Sequence, residues 1–516
     1  MFRPLQARAW TPAARADTDP ITHQTKETDM LRKYSFPLTL LACVVAGGLV
    51  AAQVATTRPA HDSPTLGPPR DADPPRPWAQ AAVNPLPPGQ PGADYTPAVA
   101  PNGAKATYKV VDGVKVFHLT AEPIVWEVAR GLTIRTWGYN GTVPGPMMEL
   151  AAGDRVRIYV TNHLPAPTSV HWHGVLLPCG QDGVSGLTQP AIQPGETFRY
   201  EFIFPDAGTF MYHPHFDSMT QEGMGMTGMI LVHQRQPDKA RRPDRDFAIM
   251  LHEWRIDVGT DRPNPNEMTD FNVLTMNGKA MPDTEPLVAK LGDRVWIRYG
   301  NLSAMDHHPI HLHGYAFKII GSDGGWAADK SKLLPETTVL VQVGSAKVVE
   351  FLADNPGDWL FHCHMTHHTM TQMGHGLPNM IGMDTEGFDE KVRKLIPGYR
   401  TMGTTGMKDM TRGGMPIPAN SIPMRGYKGQ FGQTVLGSMA NMLMVREGID
   451  SYENPGPYKF PKGTVAREAT VGELKADRIE IKPMPEESRP PRMQSGMKHG
   501  RDNQQGMRRP MNGDSQ

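Results

Sequence analysis

GDRVRIYVTNHL (153–164) and GDRVWIRYGNLS (292–303) are two versions of one segment. Each opens on Gly-Asp, runs through alternating apolar and polar residues, and reaches an asparagine. Alternation of period two, bounded by turn residues, marks a half-buried strand. The likeness continues downstream. GETFRYEFIFPDAGTFMYHPH (195–215) aligns without a gap to GSAKVVEFLADNPGDWLFHCH (344–364), with the first Gly, Glu-Phe and second Gly in register. In each copy an HxH pair follows the first segment, His171/His173 and His311/His313. Each second segment ends on another pair, His213/His215 and His362/His364. One β module therefore occurs twice, and the gap between the copies leaves no room for a third.

Around these segments, from about 105 to 385, short runs rich in β-branched and aromatic residues alternate with Gly/Pro/Asn/Asp turns, and helical periodicity is scarce. An all-β protein of two antiparallel sandwiches is expected. Domain 1 is read as 104–238 and domain 2 as 243–386. Residues 58–103 are dense in Pro, Ala and Gly and read as a disordered or extended linker. Residues 387–516, rich in Met, Gly and Pro, read as a largely irregular C-terminal extension. Residues 1–57 combine a polar start with a targeting segment at 30–55: Met30 opens MLRK, then an apolar run and small residues suited to cleavage. Met30 reads as the true start, and export to the periplasm is expected. An uncleaved anchor is the alternative, although about 17 apolar residues only just span a bilayer; a lipoprotein through Cys43 is a weaker one.

The 516 residues hold 53 Lys plus Arg and 53 Asp plus Glu, so no bulk charge favours nucleic acid or an acidic membrane. Past the targeting segment only Cys179 and Cys363 remain, too few for a disulfide framework. Cys179 reads as a buried free thiol. Cys363 sits in FHCHMTHHTMTQMG (361–374), among four histidines and three methionines.

With 20 histidines in this length, chance gives roughly one HxH, whereas four stand at matched places in a repeat. Along a strand, i and i+2 face the same way, so each pair presents two imidazoles side by side. Eight imidazoles suffice for several ions. The second copy adds Cys363 between paired histidines, His368 and Met373 at five-residue steps beyond it, and His308 before the other pair. Two His, one Cys and a weak axial Met form a blue-copper site. The first copy has Thr168, Pro214 and Met219 at the places of His308, Cys363 and His368, so only one such site can exist.

HWHG (171–174), YHPH (212–215), HPIHLHG (308–314) and HCHMTHHTMTQM (362–373) resemble the four copper motifs of the multicopper oxidases, over roughly residues 105–385. The resemblance implies two cupredoxin-like Greek-key β-sandwiches of the laccase-like type, with type 1 copper in the second. It implies four coppers per functional unit. His308, Cys363, His368 and Met373 would hold type 1, with Cys363 the point of electron entry. His171 and His311 would hold type 2, and His173, His213, His215, His313, His362 and His364 the type 3 pair. Asp182 stands where the family has an acidic proton relay, though an Asp-Gly turn explains it equally simply. Thr369 stands where many relatives have a carboxylate. In two-domain relatives the trinuclear site is closed by a neighbouring subunit of a homotrimer.

The implied reaction is one-electron oxidation of a donor coupled to four-electron reduction of O2 to water. The donor is Cu(I) or a phenol. Methionine clusters at 216–229, 364–383 and 402–415 suit Cu(I) and periplasmic copper homeostasis, but serve equally as packing. A copper-storing protein is the non-enzymatic alternative. Copper nitrite reductase, also two-domain and trimeric, has its type 1 cysteine in the first module, where Pro214 stands here.

Overall fold

The computed structural model describes residues 86–369 and 428–485, except 130–131, 237, 258–259, 268–270, 435 and 484. Strands dominate, in two sandwiches. In the first, Tyr108–Val111, Val114–Ala129, Arg155–Asn162 and Thr197–Ile203 lie side by side, with Leu132–Tyr139 also paired to the long second strand. The facing sheet runs Gly145–Ala151, Gly228–His233, Gly208–His213, His171–His173. Their inner residues, among them Phe117, Ile158, Trp172 and Tyr212, form one core.

The repeat explains itself here. Gly153 and Gly292 take positive φ, and the following aspartates close the turn: Asp154 accepts from Ala151 N and Asp293 from Lys290 N. Asn162 and Asn301 anchor the loops that lead to the first histidine pairs. Asn162 Nδ2 donates to Ala166 O and Ile192 O, and Asn301 Nδ2 to Asp306 O and Val341 O. Gly174 and Gly314, after the two HxH pairs, also have positive φ, where a side chain would be strained.

The second sandwich corrects two expectations. Its six-stranded sheet runs Val273–Met276, Arg245–Trp254, Arg294–Asn301, Ser345–Leu352, Lys318–Ser322, Gly325–Trp326. The opposite sheet runs Leu287–Lys290, Ala440–Arg446, Gly357–Cys363, His308–Leu312, Thr338–Val341. Ala440–Arg446 lies well past 386, in what composition marks as an irregular extension. It is an inner strand of the sheet, hydrogen-bonded on both sides, with Leu443 and Val445 fully buried. Domain 2 therefore does not end at 386. Nor are the sheets purely antiparallel: Val114–Ala129 runs parallel to Arg155–Asn162, and Arg245–Trp254 to Arg294–Asn301, because the chain crosses over before pairing.

The linker expectation fails at its end. Residues 86–103 are docked: Ala98 is fully buried, Val99 exchanges backbone hydrogen bonds with 246–248, and Tyr95 stacks on His233 at 4.2 Å. Proline and glycine limit regular structure but do not stop an extended segment from packing. Between the sandwiches, Met147, Met211, Met229 and Met250 fill a cluster with Ala98, Leu231 and Leu302. Unbranched thioethers suit such an irregular gap. Met224 and Met226 are core residues too, so most of the 216–229 methionines are packing.

His252 gives this fold a pH dependence. It is buried beside Trp254; its Nδ1 donates to Leu302 O at 3.2 Å and its Nε2 has no partner. Burial pushes its pKa down to about 4. The unfolded imidazole, near 6.5, takes up its proton first. The contribution to stability is therefore complete above about 6.5 and is lost as pH falls toward 4. Urea unfolding of His252→Phe at pH 7 and 4.5 is expected to show a smaller acid loss than the parent.

Candidate metal centre

His308, Cys363 and His368 converge although they come from two strands and a turn. His308 begins the strand His308–Leu312, Cys363 ends the antiparallel neighbour Gly357–Cys363, and His368 sits on the 3-10 turn Thr366–Thr369. Cys363 Sγ is 3.8 Å from His308 Nδ1 and 3.3 Å from His368 Nδ1, and the two Nδ1 atoms are 3.2 Å apart. All three residues are buried.

The far sides of both rings are held. His308 Nε2 lies 2.7 Å from Ser303 Oγ, and His368 Nε2 lies 3.1 Å from Asp306 Oδ2. The Asp306 carboxylate accepts from His368 Nε2, and Ser303 Oγ is able to accept from His308 Nε2; with both protons on Nε2 the two Nδ1 lone pairs face Cys363, the tautomer a metal requires. Glu253 supports them in turn, accepting from the backbone N–H of Met305 and Asp306. Burial pushes the His308 pKa down to about 3 and the Cys363 thiol up to about 12. Neutral imidazoles beside a thiol that releases its proton only to a metal fit copper: the donors are soft, buried and already converged. Asp306→Ala is expected to weaken copper binding here by about 10- to 100-fold, read by competition with a chromophoric chelator.

Ser303, Asp306, Glu253 and Glu222 escaped the sequence reading. The MDHH run (305–308) was the available signal for Asp306. Met373 and His375 lie outside the described residues. Thr369 bonds Thr366 O and closes the turn carrying His368. At the corresponding place in the first sandwich Thr168 Oγ1 donates to Gln221 Oε1 at 2.7 Å, filling with a neutral hydrogen bond what the second fills with ligands.

The paired histidines occupy the opposite face of their strands. His171 stands across from His213, and His311 across from His362. In the first quartet, ring centroids of His171 lie 5.7, 5.4 and 5.5 Å from those of His173, His213 and His215. In the second, those of His311 lie 4.9, 5.9 and 5.6 Å from His313, His362 and His364. The outer hydrogen bonds repeat as well. His171 Nδ1 donates to Asp182 O and His311 Nδ1 to Thr337 O, while His213 and His362 bond the carbonyls of Pro214 and Cys363. Each of these leaves one ring nitrogen for a ligand: His173 Nδ1 and His213 Nε2 come within 3.2 Å, His313 Nε2 and His362 Nε2 within 3.3 Å. Burial, then the neighbouring imidazoles, lowers the pKa of His173 and His313. Asp182 also brings Oδ1 to 3.4 Å from His171 Nδ1, and Glu222 brings Oε1 to 3.0 Å from His213 Nδ1.

Cys179, expected to be buried, is exposed, because it sits on the surface turn Cys179–Gln181; both it and Cys363 are free thiols.

Two family models, each described as "Multicopper oxidase", match this chain, one at residues 120–237 and the other at 257–381. Copper resistance protein A of Escherichia coli is 30% identical over 36% of this chain and 38% of its own length. A probable nitrite reductase-hydroxylamine oxidoreductase fusion protein of Kuenenia stuttgartiensis is 29% identical over 51% of this chain and 31% of its own. The chain thus spans well under half of either relative. Among solved structures, a blue copper oxidase from Nitrosomonas europaea is similar at 32% identity, with 49% of this chain and 80% of that one covered and a TM-score of 0.45.

Proposed function

Since this chain belongs to the multicopper oxidases, we propose that it oxidises a one-electron donor, Cu(I) or a phenol, and reduces O2 to water with the electrons collected. The observation that carries the reading is the position of Cys363. Its side chain points with His308 and His368 into the core, while its sequence neighbours His362 and His364 belong to the histidine quartet on the other face. Bound copper would supply single-electron redox steps, one ion beside Cys363 and three among the histidines together providing the four electrons that convert O2 and four protons to two waters. Cys363 gives those electrons a short covalent path to either histidine. His308, Cys363 and His368 serve as type 1 ligands. His171 and His311 are the type 2 ligands, and His173, His213, His215, His313, His362 and His364 the type 3 ligands. Asp182, against His171, and Glu222, against His213, are placed to relay protons toward the quartet.

The quartets of one chain are halves of two clusters. Among the described residues, ring contacts join members of each quartet and none joins the two, and His215, His313 and His364 are exposed. A neighbouring copy supplies the other half, closing a homotrimer. The chain works in the periplasm, in copper homeostasis. Among the described residues no helix is long and apolar enough to cross a membrane, and the apolar run after Met30 lies outside them.

Oxygen uptake by copper-loaded protein, given Cu(I) or a methoxyphenol, tests this. Faster turnover of Cu(I) makes it a cuprous oxidase, and faster phenol turnover a small laccase. No uptake with either, in protein carrying all its copper, would sink the oxidase reading and leave a copper store.

A further inference from the structure

Resting on that reading, we infer that the axial thioether of the type 1 site comes from Met439, about 70 residues beyond His368, and not from Met373. The antiparallel pairing of Gly357–Cys363 with Ala440–Arg446 sets His362 opposite Ala440. Its register, continued by one residue, sets Cys363 opposite Met439, and Cys363 N donates to Met439 O at 3.0 Å. Directly opposed residues share a face with Cβ atoms about 4.5–5.5 Å apart. Met439 N in turn donates to His368 O at 3.2 Å, so its backbone is tied to two of the three converging ligands. Its side chain is fully buried and belongs to the core cluster containing Cys363. The strand Ala440–Arg446 carries two further methionines, but Met442 and Met444 stand opposite Leu360 and Asp358, away from the end of the strand where Cys363 lies.

The first sandwich carries the same register independently. Tyr212 pairs with Gly228, which sets Met226 opposite Pro214, and Met226 is fully buried. There the chain returns within a dozen residues. In the second sandwich the return strand arrives only after the long segment 370–437, and the methionine at its head keeps its place beside the cysteine. The five-residue step that singled out Met373 reads spacing along the chain, whereas ligation is set by the strand that closes the sheet.

The test uses copper-loaded, full-length protein carrying Met439→Leu, Met439→Gln or Met373→Leu. Readouts are the blue charge-transfer band near 600 nm, the parallel hyperfine splitting in electron paramagnetic resonance, and the type 1 reduction potential. Met439→Leu is expected to raise the potential and Met439→Gln, which keeps a donor oxygen, to lower it, with Met373→Leu matching the parent. Opposite shifts from two substitutions in one buried site separate ligation from a packing defect; circular dichroism and copper content confirm folding. A shift in Met373→Leu alone, or in none of the three, overturns the assignment. A parent protein that binds copper without a blue band would overturn the oxidase reading itself, and this inference with it.

Discussion

Cys363→Ser is expected to abolish the blue colour and to lower donor-driven oxygen uptake by at least about 100-fold, equivalent to about 2.7 kcal/mol in the barrier. Two losses combine. A serine hydroxyl does not ionise at neutral pH and is a hard donor, so the pair His308 and His368 would be left without the soft anion that fits copper. The covalent path to His362 and His364 would also lose its sulfur end. The fold should survive, because Cys363 and Ser are close in volume; an orphaned buried hydroxyl costs about 1–3 kcal/mol. The informative comparison is therefore uptake against copper content. Copper retained at the histidine quartets with uptake lost assigns Cys363 to electron entry. Uptake at the parental rate would mean that electrons reach the histidines by another route.

Ending the chain after residue 427 is expected to unfold the second sandwich. Ala440–Arg446 bonds Leu287–Lys290 on one side and Gly357–Cys363 on the other, so its loss strands the hydrogen-bonding edges of both and opens the core at Leu443 and Val445. A point change grades the same effect. Leu443→Ala, at a fully buried site, should cost about 2–5 kcal/mol in urea unfolding. Ile479→Ala, at an exposed site, should stay within about 0.5 kcal/mol. A truncated protein that still unfolds cooperatively and still turns blue with copper would show the strand to be dispensable.

The sequence by itself determined the two-fold repeat, the β class and the converging His308, Cys363 and His368. Those features are local: strand period, turn glycines and HxH pairs are written in neighbouring positions, and a repeat doubles the signal. The quartets are less local, since the chain visits the opposite sheet at Thr197–Ile203 before Gly208–His213 pairs with His171–His173, but the matched repeat marks both pairs. Tertiary structure decided the rest. ANMLMVR (440–446) has no polar alternation because it is an inner strand, buried along most of its length, and in sequence it follows a long stretch rich in Gly, Met and Pro. Only the unfilled gap between Leu287–Lys290 and Gly357–Cys363 gives it a place. Residues 86–103 look like linker because composition reports what a segment cannot form, not what it can lie against. Asp306, Ser303 and Glu253 are ordinary polar residues until the fold sets them behind two imidazoles. Chain spacing predicts ligands that fall on one strand or turn; a ligand delivered by the closing strand of a sheet is a matter of register between distant segments, and register exists only once the core has formed.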